Sequence, residues 1–242
     1  VRIHPAIIAQ AAATAAMLMP DRFFLGLGSG ENLNEHILGH RWPPYDLREP
    51  MLEEAIEIIR KLWQGETLTY YGDFYDVEEA RIYSLPESLP PIYLAAGGSQ
   101  SAELAGEKGE GLISGSPDHE IVQAFRGAAQ GEAQAIGKLT VCFADSQEEA
   151  LETAYEWWPN AALPGELKYE LRTPAHFEQA VQLVTKEDVE DSLTLGTEVG
   201  PFLEAVQRFE QAGFDRVYFH QVGPNQEAFI RFYEDSLKPA LN

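Results

Sequence analysis

The stretch Phe23-Phe24-Leu25-Gly26-Leu27-Gly28-Ser29-Gly30-Glu31-Asn32-Leu33-Asn34-Glu35 decides the fold. Its apolar start is typical of a buried β-strand, which we place at residues 23–30. Three glycines at alternate positions let the backbone turn tightly, or let a ligand approach the main chain. The polar residues Glu31, Asn34 and Glu35 follow directly. Because ligands and catalytic groups collect at the carboxyl ends of parallel strands, the stretch predicts either a functional site or an ordinary acidic helix start.

Outward from this stretch, strands alternate with helices. A helix with a buried face is predicted at residues 5–19, an amphipathic helix at 51–63 and a further helix at 119–134. The other predicted core strands lie at residues 92–96, 111–115, 139–144 and 216–221. This alternation is typical of βαβ units around a parallel sheet. The sequence therefore predicts one α/β domain over residues 1–242, interrupted by a β-hairpin at about 66–83 and a helical excursion at about 159–200.

The charge balance limits the kind of partner that the chain can bind. Of its 242 residues, 39 are acidic and 17 are basic, which gives a net charge of −22. Nucleic-acid binding relies on Lys and Arg to neutralise phosphates, so we expect no nucleic-acid partner. No apolar run approaches the roughly 20 residues that a membrane span needs. The apolar residues between 6 and 19 fit a buried helix face better than a signal peptide, and we expect a cytoplasmic protein.

Cysteine and histidine indicate no metal chemistry. The single cysteine, Cys142, lies in an apolar run, which predicts a buried and inert thiol. His36 and His40 are spaced four apart, but neither a third ligand nor a His-Glu-x-x-His pattern accompanies them. We therefore predict no metal site.

Several motifs occur in a fixed order along essentially the whole chain. They are Gly26-Leu27-Gly28-Ser29-Gly30-Glu31-Asn32-Leu33-Asn34-Glu35, Arg41-Trp42-Pro43, Ile59-Arg60-Lys61-Leu62-Trp63, Tyr71-Gly72-Asp73-Phe74-Tyr75, Tyr93-Leu94-Ala95-Ala96-Gly97-Gly98 and Phe219-His220-Gln221-Val222-Gly223-Pro224. A lone Gly-x-Gly-x-Gly pattern is a weak signal, whereas the order and spacing of these motifs together are strong. The chain resembles the luciferase-like family of flavin- and deazaflavin-dependent oxidoreductases, and most of all the branch related to F420-dependent glucose-6-phosphate dehydrogenase.

The resemblance implies a TIM (β/α)8-type barrel with inserted segments that forms a homodimer. It also implies that a small-molecule substrate and coenzyme F420, with FMN as the alternative cofactor, bind at the carboxyl face of the strands. An F420 tail is acidic and the chain carries a charge of −22. Binding therefore has to rely on local hydrogen-bond donors and a few cations that act against the overall field.

The resemblance assigns roles to residues at two places. Glu31 corresponds to a general acid near the reacting centre, and we expect it to be partly buried. Asn34 corresponds to a deazaflavin contact, and Gly28 lies where a glycine would let the cofactor approach the main chain. The turn Ala95-Ala96-Gly97-Gly98 corresponds to the place where main-chain N–H groups meet the cofactor phosphate. Two glycines that open a helix expose donors for an anion, although a tight βα turn without a ligand remains the alternative.

Two features depart from the family pattern. A complete barrel has eight strands, whereas about five are predicted here, and the first three βα units of the family are absent except for the helix at 5–19. We therefore expect an open barrel wall, exposed strand edges, poor catalysis and a tendency to aggregate.

Sugar-phosphate members hold the substrate phosphate with lysines, and Asp118 and Asp191 stand at the apparently matching positions. A carboxylate repels phosphate, so we expect an uncharged alcohol, aldehyde or ketone instead of glucose 6-phosphate.

His220 ends the last predicted strand, where substrate would bind. It is a candidate for hydrogen bonding or acid–base catalysis, and a histidine at a strand end that is hydrogen-bonded for structural reasons alone is the alternative.

The leading hypothesis is an F420-dependent oxidoreductase with Glu31 and His220 as catalytic residues. An FMN-dependent luciferase-like monooxygenase and a truncated, non-catalytic protein that binds flavin or deazaflavin are the other two hypotheses.

Overall fold

The computed structural model describes residues 3–39 and 41–241, so His40 lies outside the described residues. The chain divides into two compact units. The first comprises the chain up to Ile113 together with Glu120–Gln134, and the second comprises Ser114–His119 together with the chain from Ala135 onward. Both units combine helices with parallel strands. The predicted α/β class with a parallel sheet is confirmed.

The strands of the first unit form a parallel group and a separate hairpin. They are β1 (Leu25–Leu27), β2 (Leu68–Tyr71), β3 (Asp76–Ala80), β4 (Ile92–Ala95) and β5 (Gly111–Ser114). β4 lies between β1 and β5 and is parallel to both. β2 and β3 pair antiparallel, as the sequence predicts for residues 66–83. Within residues 3–39 and 41–241, β1 pairs only with β4 and is therefore an edge strand.

Helices of the first unit are α1 (Pro5–Leu18), α2 (Asn32–Glu35), α3 (Tyr45–Leu62), α4 (Ser99–Lys108) and α5 (His119–Ala128). α1 and α3 pack together, and the Trp63 indole N–H donates to the Ala9 carbonyl at 2.9 Å. Arg60 ties α3 to the sheet, because its guanidinium contacts Glu110 at 2.6 Å while the other oxygen of Glu110 accepts from the Ile92 N–H at 2.8 Å. These contacts fix the parallel strands against the helices.

The second unit has β6 (Gln134–Phe143) at its centre. β7 (Thr194–Gly196) and β8 (Arg216–Gln221) lie parallel to it on either side. The helices of this unit are α6 (Gln147–Trp157), α7 (Leu167–Glu170), α8 (Pro174–Ala180), α9 (Lys186–Ser192), α10 (Val199–Ala212), α11 (Gln226–Phe232) and α12 (Lys238–Ala240). A π-helical turn, Tyr233–Leu237, joins the last two helices.

The sheet of the second unit has a helix-covered aromatic face. A Cβ atom added to Gly137 of β6 would collide with the Phe209 ring of α10, and Phe219 of β8 packs against Phe229 of α11 with ring centroids 5.8 Å apart. Cys142 points to the other face, where it belongs to an apolar cluster with residues of α6 and α9. Burial, with a smaller effect of Glu149, raises the pKa of the Cys142 thiol to about 11, and the predicted burial of this thiol is confirmed.

The first strand differs from its prediction. It is restricted to Leu25–Leu27 instead of residues 23–30, and it is not buried, since Phe24 beside it is 43% exposed. The physical reason is its place at the edge of its sheet, where one side has no covering strand among the described residues. Gly30, at φ +88°, takes the backbone out of the extended region.

Three other boundaries also differ. α3 begins at Tyr45 instead of residue 51, and Pro50 lies inside it. α5 ends at Ala128 and β6 begins at Gln134, whereas the prediction continued the helix to residue 134 and began the strand at 139. The excursion predicted over 159–200 contains the short strand β7. None of the helices in the described part of the chain is both long and apolar enough to span a bilayer.

Candidate functional site

The carboxyl ends of β1 and β4 lie side by side. Leu27 pairs with Leu94 in the parallel ladder, so the residues that follow each strand are neighbours. A Cβ atom added to Gly28 would lie 3.4 Å from the Cβ of Ala95, which is ordinary van der Waals contact. The structure therefore brings two predicted cofactor-binding positions together at one edge of the first unit.

Gly30 shapes the loop that leaves β1. Its φ of +88° is in the left-handed region, and an added Cβ would lie 2.7 Å from the carboxylate of Glu35. The left-handed backbone conformation favours glycine here, whereas the Glu35 carboxylate ends a flexible side chain that could move aside. The chain consequently folds straight into the single-turn helix α2, which carries the polar residues that follow the glycines.

Glu31 and Asn34 form one polar pair on this loop. Glu31 is the N-cap residue of α2, and its carbonyl accepts the N–H groups of Asn34 and Glu35 at 3.0 Å each. The Asn34 amide nitrogen donates to the Glu31 carboxylate at 3.4 Å. Glu31 is exposed, so the expected partial burial is wrong. Its position at the end of an edge strand leaves the carboxylate in contact with solvent.

The turn Ala95-Ala96-Gly97-Gly98 joins β4 to α4. The N–H of Ala96 donates to the Ile113 carbonyl at 2.9 Å and anchors the turn to β5. Gly98 is the N-cap residue of α4 and has no side chain to cap the first turn. An added Cβ would meet nothing within 4 Å at Gly97 or Gly98, so the space in front of the helix is open. Open space and uncapped N–H donors at a helix start suit an anionic group.

His220 lies in the second unit, on β8. Its Nδ1 is 3.5 Å from the hydroxyl of Thr140, and its ring meets the edge of Trp158 with centroids 4.9 Å apart. Burial, and secondarily the positive charge of Lys138, lower the pKa of His220 below its ordinary value of 6.5. The imidazole is therefore neutral at pH 7, with one N–H to donate and one nitrogen to accept.

The structure groups the predicted site residues within each unit. In the first unit it joins Gly28 to Ala95 and Glu31 to Asn34. In the second unit it surrounds His220 with Thr140, Trp158 and Lys138, none of which the sequence singled out as a site residue. Among the residues that the structure describes, no group of three potential metal ligands converges.

The matching family model is the one described as luciferase-like monooxygenase, and it covers residues 1–216. The chain belongs to this luciferase-like family. Among the relatives, the F420-dependent glucose-6-phosphate dehydrogenase of Microbacterium testaceum is 34% identical over 252 residues, covering 99% of this chain and 75% of the relative. The enzyme of the same name from Mycobacterium tuberculosis is 32% identical over 254 residues, with the same shares covered.

Solved structures confirm the luciferase-like fold. An F420-dependent secondary alcohol dehydrogenase in complex with an F420-acetone adduct superposes with a TM-score of 0.89 at 24% identity, over 100% of this chain and 76% of that one. The F420-dependent tetrahydromethanopterin reductase of Methanopyrus kandleri superposes with a TM-score of 0.76 at 17% identity, over 99% of this chain and 80% of that one. At these identities the likeness concerns the fold.

Proposed function

We propose that the chain is an F420-dependent oxidoreductase that transfers a hydride between the cofactor and a small alcohol, aldehyde or ketone. One observation carries the proposal: relatives named for F420-dependent dehydrogenation align with 99% of the chain at 32–34% identity. At 99% coverage, the alignments extend over both units of the chain.

The residues present fit an anionic cofactor. The uncapped N–H groups at Gly98 and the first turn of α4, with open space at Gly97, would hold its phosphate. Ala95, Ala96 and Gly28 would form the floor beside it, and Asn34 would contact the ring system. The cofactor supplies the hydride chemistry when it is bound, and the protein supplies binding, orientation and proton transfer.

Glu31 and His220 would handle the proton and the substrate oxygen. Glu31 is exposed and accepts a hydrogen bond from Asn34, and it would serve as the proton donor or acceptor. His220 is neutral at pH 7 and would donate a hydrogen bond to the oxygen of the alcohol or carbonyl group. Asp118 and Asp191 argue against a sugar phosphate, because carboxylates at positions that match phosphate-binding lysines would repel it.

The first test is a fluorescence titration of the chain with F420 and, in parallel, with FMN. Saturable binding of F420 at micromolar concentration or tighter, with FMN ignored, supports the proposal. A screen of 2-propanol, 2-butanol, their ketones and glucose 6-phosphate then tests the substrate class. Binding of neither cofactor contradicts the proposal, and turnover of glucose 6-phosphate alone contradicts the substrate assignment.

Replacement of Glu31 tests the assigned proton transfer. We expect Glu31→Gln to lower turnover by about 100-fold or more, because positioned acid–base groups contribute that much, while the F420 dissociation constant stays within about threefold. The matched control is Glu78→Gln, which removes an exposed carboxylate from β3. Equal turnover in the two variants would remove Glu31 from the mechanism.

An FMN-dependent monooxygenase is the second candidate, favoured by the description of the matching family model. Reduced flavin reacts with oxygen and the deazaflavin does not, so oxygen consumption with FMN separates the two. Cofactor binding without any turnover would instead support a non-catalytic binding protein.

We also propose a cytoplasmic homodimer, in line with the resemblance, and light scattering after size exclusion tests its stoichiometry.

A further inference from the structure

One face of the sheet in the second unit carries a row of polar side chains. Lys138 and Thr140 are two residues apart on β6, so they point to the same side of the strand. Their partners across the parallel ladder are Tyr218 and His220 of β8. Paired residues of adjacent strands share a face, and these four side chains are therefore neighbours.

This polar face is not the one that the helices α10 and α11 cover. Gly137 of β6 and Phe219 of β8, which alternate with the polar residues, contact Phe209 and Phe229 of those helices. The four polar side chains point away from that aromatic layer. They remain accessible, since Tyr218 is 43% exposed and the other three are partly buried.

Lys138 is the one lysine among these four side chains, and in the part of the chain that the structure describes its ammonium group has no partner of opposite charge. The chain has 39 acidic and 17 basic residues, and yet within residues 3–39 and 41–241 the Lys138 ammonium makes neither an ion pair nor a hydrogen bond. Partial burial of a charged group costs free energy unless a partner compensates it. The charge is felt locally, because Lys138 contributes to the lowered pKa of His220.

We propose that this face is a binding site for an oxyanion, a carboxylate or phosphate group of a ligand, with Lys138 as its counter-charge. Tyr218 and His220 would donate neutral hydrogen bonds to the oxyanion, and Trp158, whose edge meets His220, would flank it. The proposal rests on the proposed function, in that the ligand belongs to that reaction. The oxyanion is either an acidic substituent of a hydroxy- or oxo-acid substrate or an acidic part of the deazaflavin. In the first case the substrate is charged, in contrast to the sequence-based expectation.

Inorganic phosphate tests the site without cofactor or turnover. The imidazole resonances of His220, assigned with His220→Gln, are followed by NMR during a phosphate titration. We expect a saturable shift in the wild type and at least tenfold weaker binding in Lys138→Met. Lys186→Met is the matched control, since it removes an exposed lysine from the same unit and changes the net charge equally.

Two further measurements identify the source of the oxyanion. A tenfold rise in the F420 dissociation constant in Lys138→Met assigns the site to the cofactor. An unchanged F420 dissociation constant, combined with a tenfold rise in KM for 3-hydroxybutyrate but not for 2-butanol, assigns it to the substrate. Both results support the oxyanion site.

The proposal is overturned if phosphate leaves the His220 resonances of the wild type unshifted, or if Lys138→Met and Lys186→Met bind phosphate alike. These results do not depend on F420. A failure of the proposed function, seen as no F420 binding at all, is therefore distinguishable from a failure of the oxyanion site.

Discussion

His220 lies in surroundings that disfavour its charged form. Burial and the Lys138 charge lower its folded-state pKa below 6.5, so the unfolded chain binds the proton more readily. The resulting stability is present above the unfolded pKa of about 6.5 and is lost as the pH falls through the lower folded pKa. We expect the free energy of unfolding to fall between pH 7.5 and pH 5 by less in His220→Gln than in the wild type, as measured by urea denaturation.

The other titrating groups are common to both proteins, so their contribution cancels in this comparison. His176→Gln, which removes an exposed histidine from α8, serves as the control for the loss of a histidine as such. An identical pH response in His220→Gln and the wild type would show that the His220 environment does not penalise its protonation.

Individual site residues were predictable where a local motif marks them. Gly30 occupies a left-handed backbone position after β1, and Gly28 and the pair Gly97-Gly98 mark the ends of β1 and β4. The exposure of Glu31 was not predictable, because it depends on β1 being an edge strand. The neighbours of His220 come from β6 and from the end of α6, where Trp158 is the C-cap residue, and only strand register and packing bring them together. The alternation of Lys138 and Thr140 with apolar residues was the one signal in the sequence.

At the scale of single elements, Glu54 fastens the β2–β3 hairpin to α3. Its buried carboxylate accepts the consecutive backbone N–H groups of Asp73, Phe74 and Tyr75 at 2.8–3.2 Å. Removal of the carboxylate leaves these donors without their acceptor. We expect Glu54→Ala to lower the free energy of unfolding by about 1–3 kcal/mol and Glu54→Gln, which keeps one acceptor oxygen, by less, both measured by urea denaturation.

Glu57→Ala provides the control on the same helix. Glu57 is half exposed; it pairs with Lys61 one turn away and accepts a hydrogen bond from the Tyr70 hydroxyl of β2 at 3.3 Å, and such surface contacts contribute about 0.5 kcal/mol. Glu57→Ala therefore measures what an exposed contact with the hairpin contributes, in comparison with the buried carboxylate of Glu54. The pKa of Glu57 is lowered chiefly by the hydrogen bond from Lys61. If Glu54→Ala cost no more than Glu57→Ala, the hairpin would be held by the β2–β3 ladder and its apolar contacts instead.

The hydrophobic periodicity of the sequence predicts most helices and strands. The boundaries that it misses depend on contacts or backbone conformations that the pattern does not show. α3 begins before Pro50 because Arg48 is buried in its first turns and stacks on Trp42 at 4.4 Å, a contact that no local pattern reveals. α5 ends at Ala128, and Gly131 beyond it, at φ +128°, excludes a helix that continues to residue 134. β7 has only three residues and is defined by its pairing with β6, so the sequence offered no period to detect.

For the whole molecule, the net charge of −22 opposes the approach of an acidic cofactor. The repulsion acts over the Debye length, about 30 Å at 10 mM salt and about 8 Å at 150 mM, whereas contacts at the α4 N-terminus act at hydrogen-bond distance. Salt should therefore weaken the repulsion more than the binding contacts. We expect the association rate constant of F420 to rise severalfold between 10 and 150 mM NaCl in stopped-flow fluorescence.

The deazaflavin that lacks the phosphate and the acidic tail is the matched control, because it carries much less negative charge than F420 and feels the long-range field less. Its association rate constant should change less over the same salt range. A rate constant for F420 that falls with salt would mean that local cations, with Lys138 the first to test, outweigh the acidic surface along the path of approach. The same measurement on Lys138→Met then decides, since the loss of that cation should convert a falling salt dependence into a rising one.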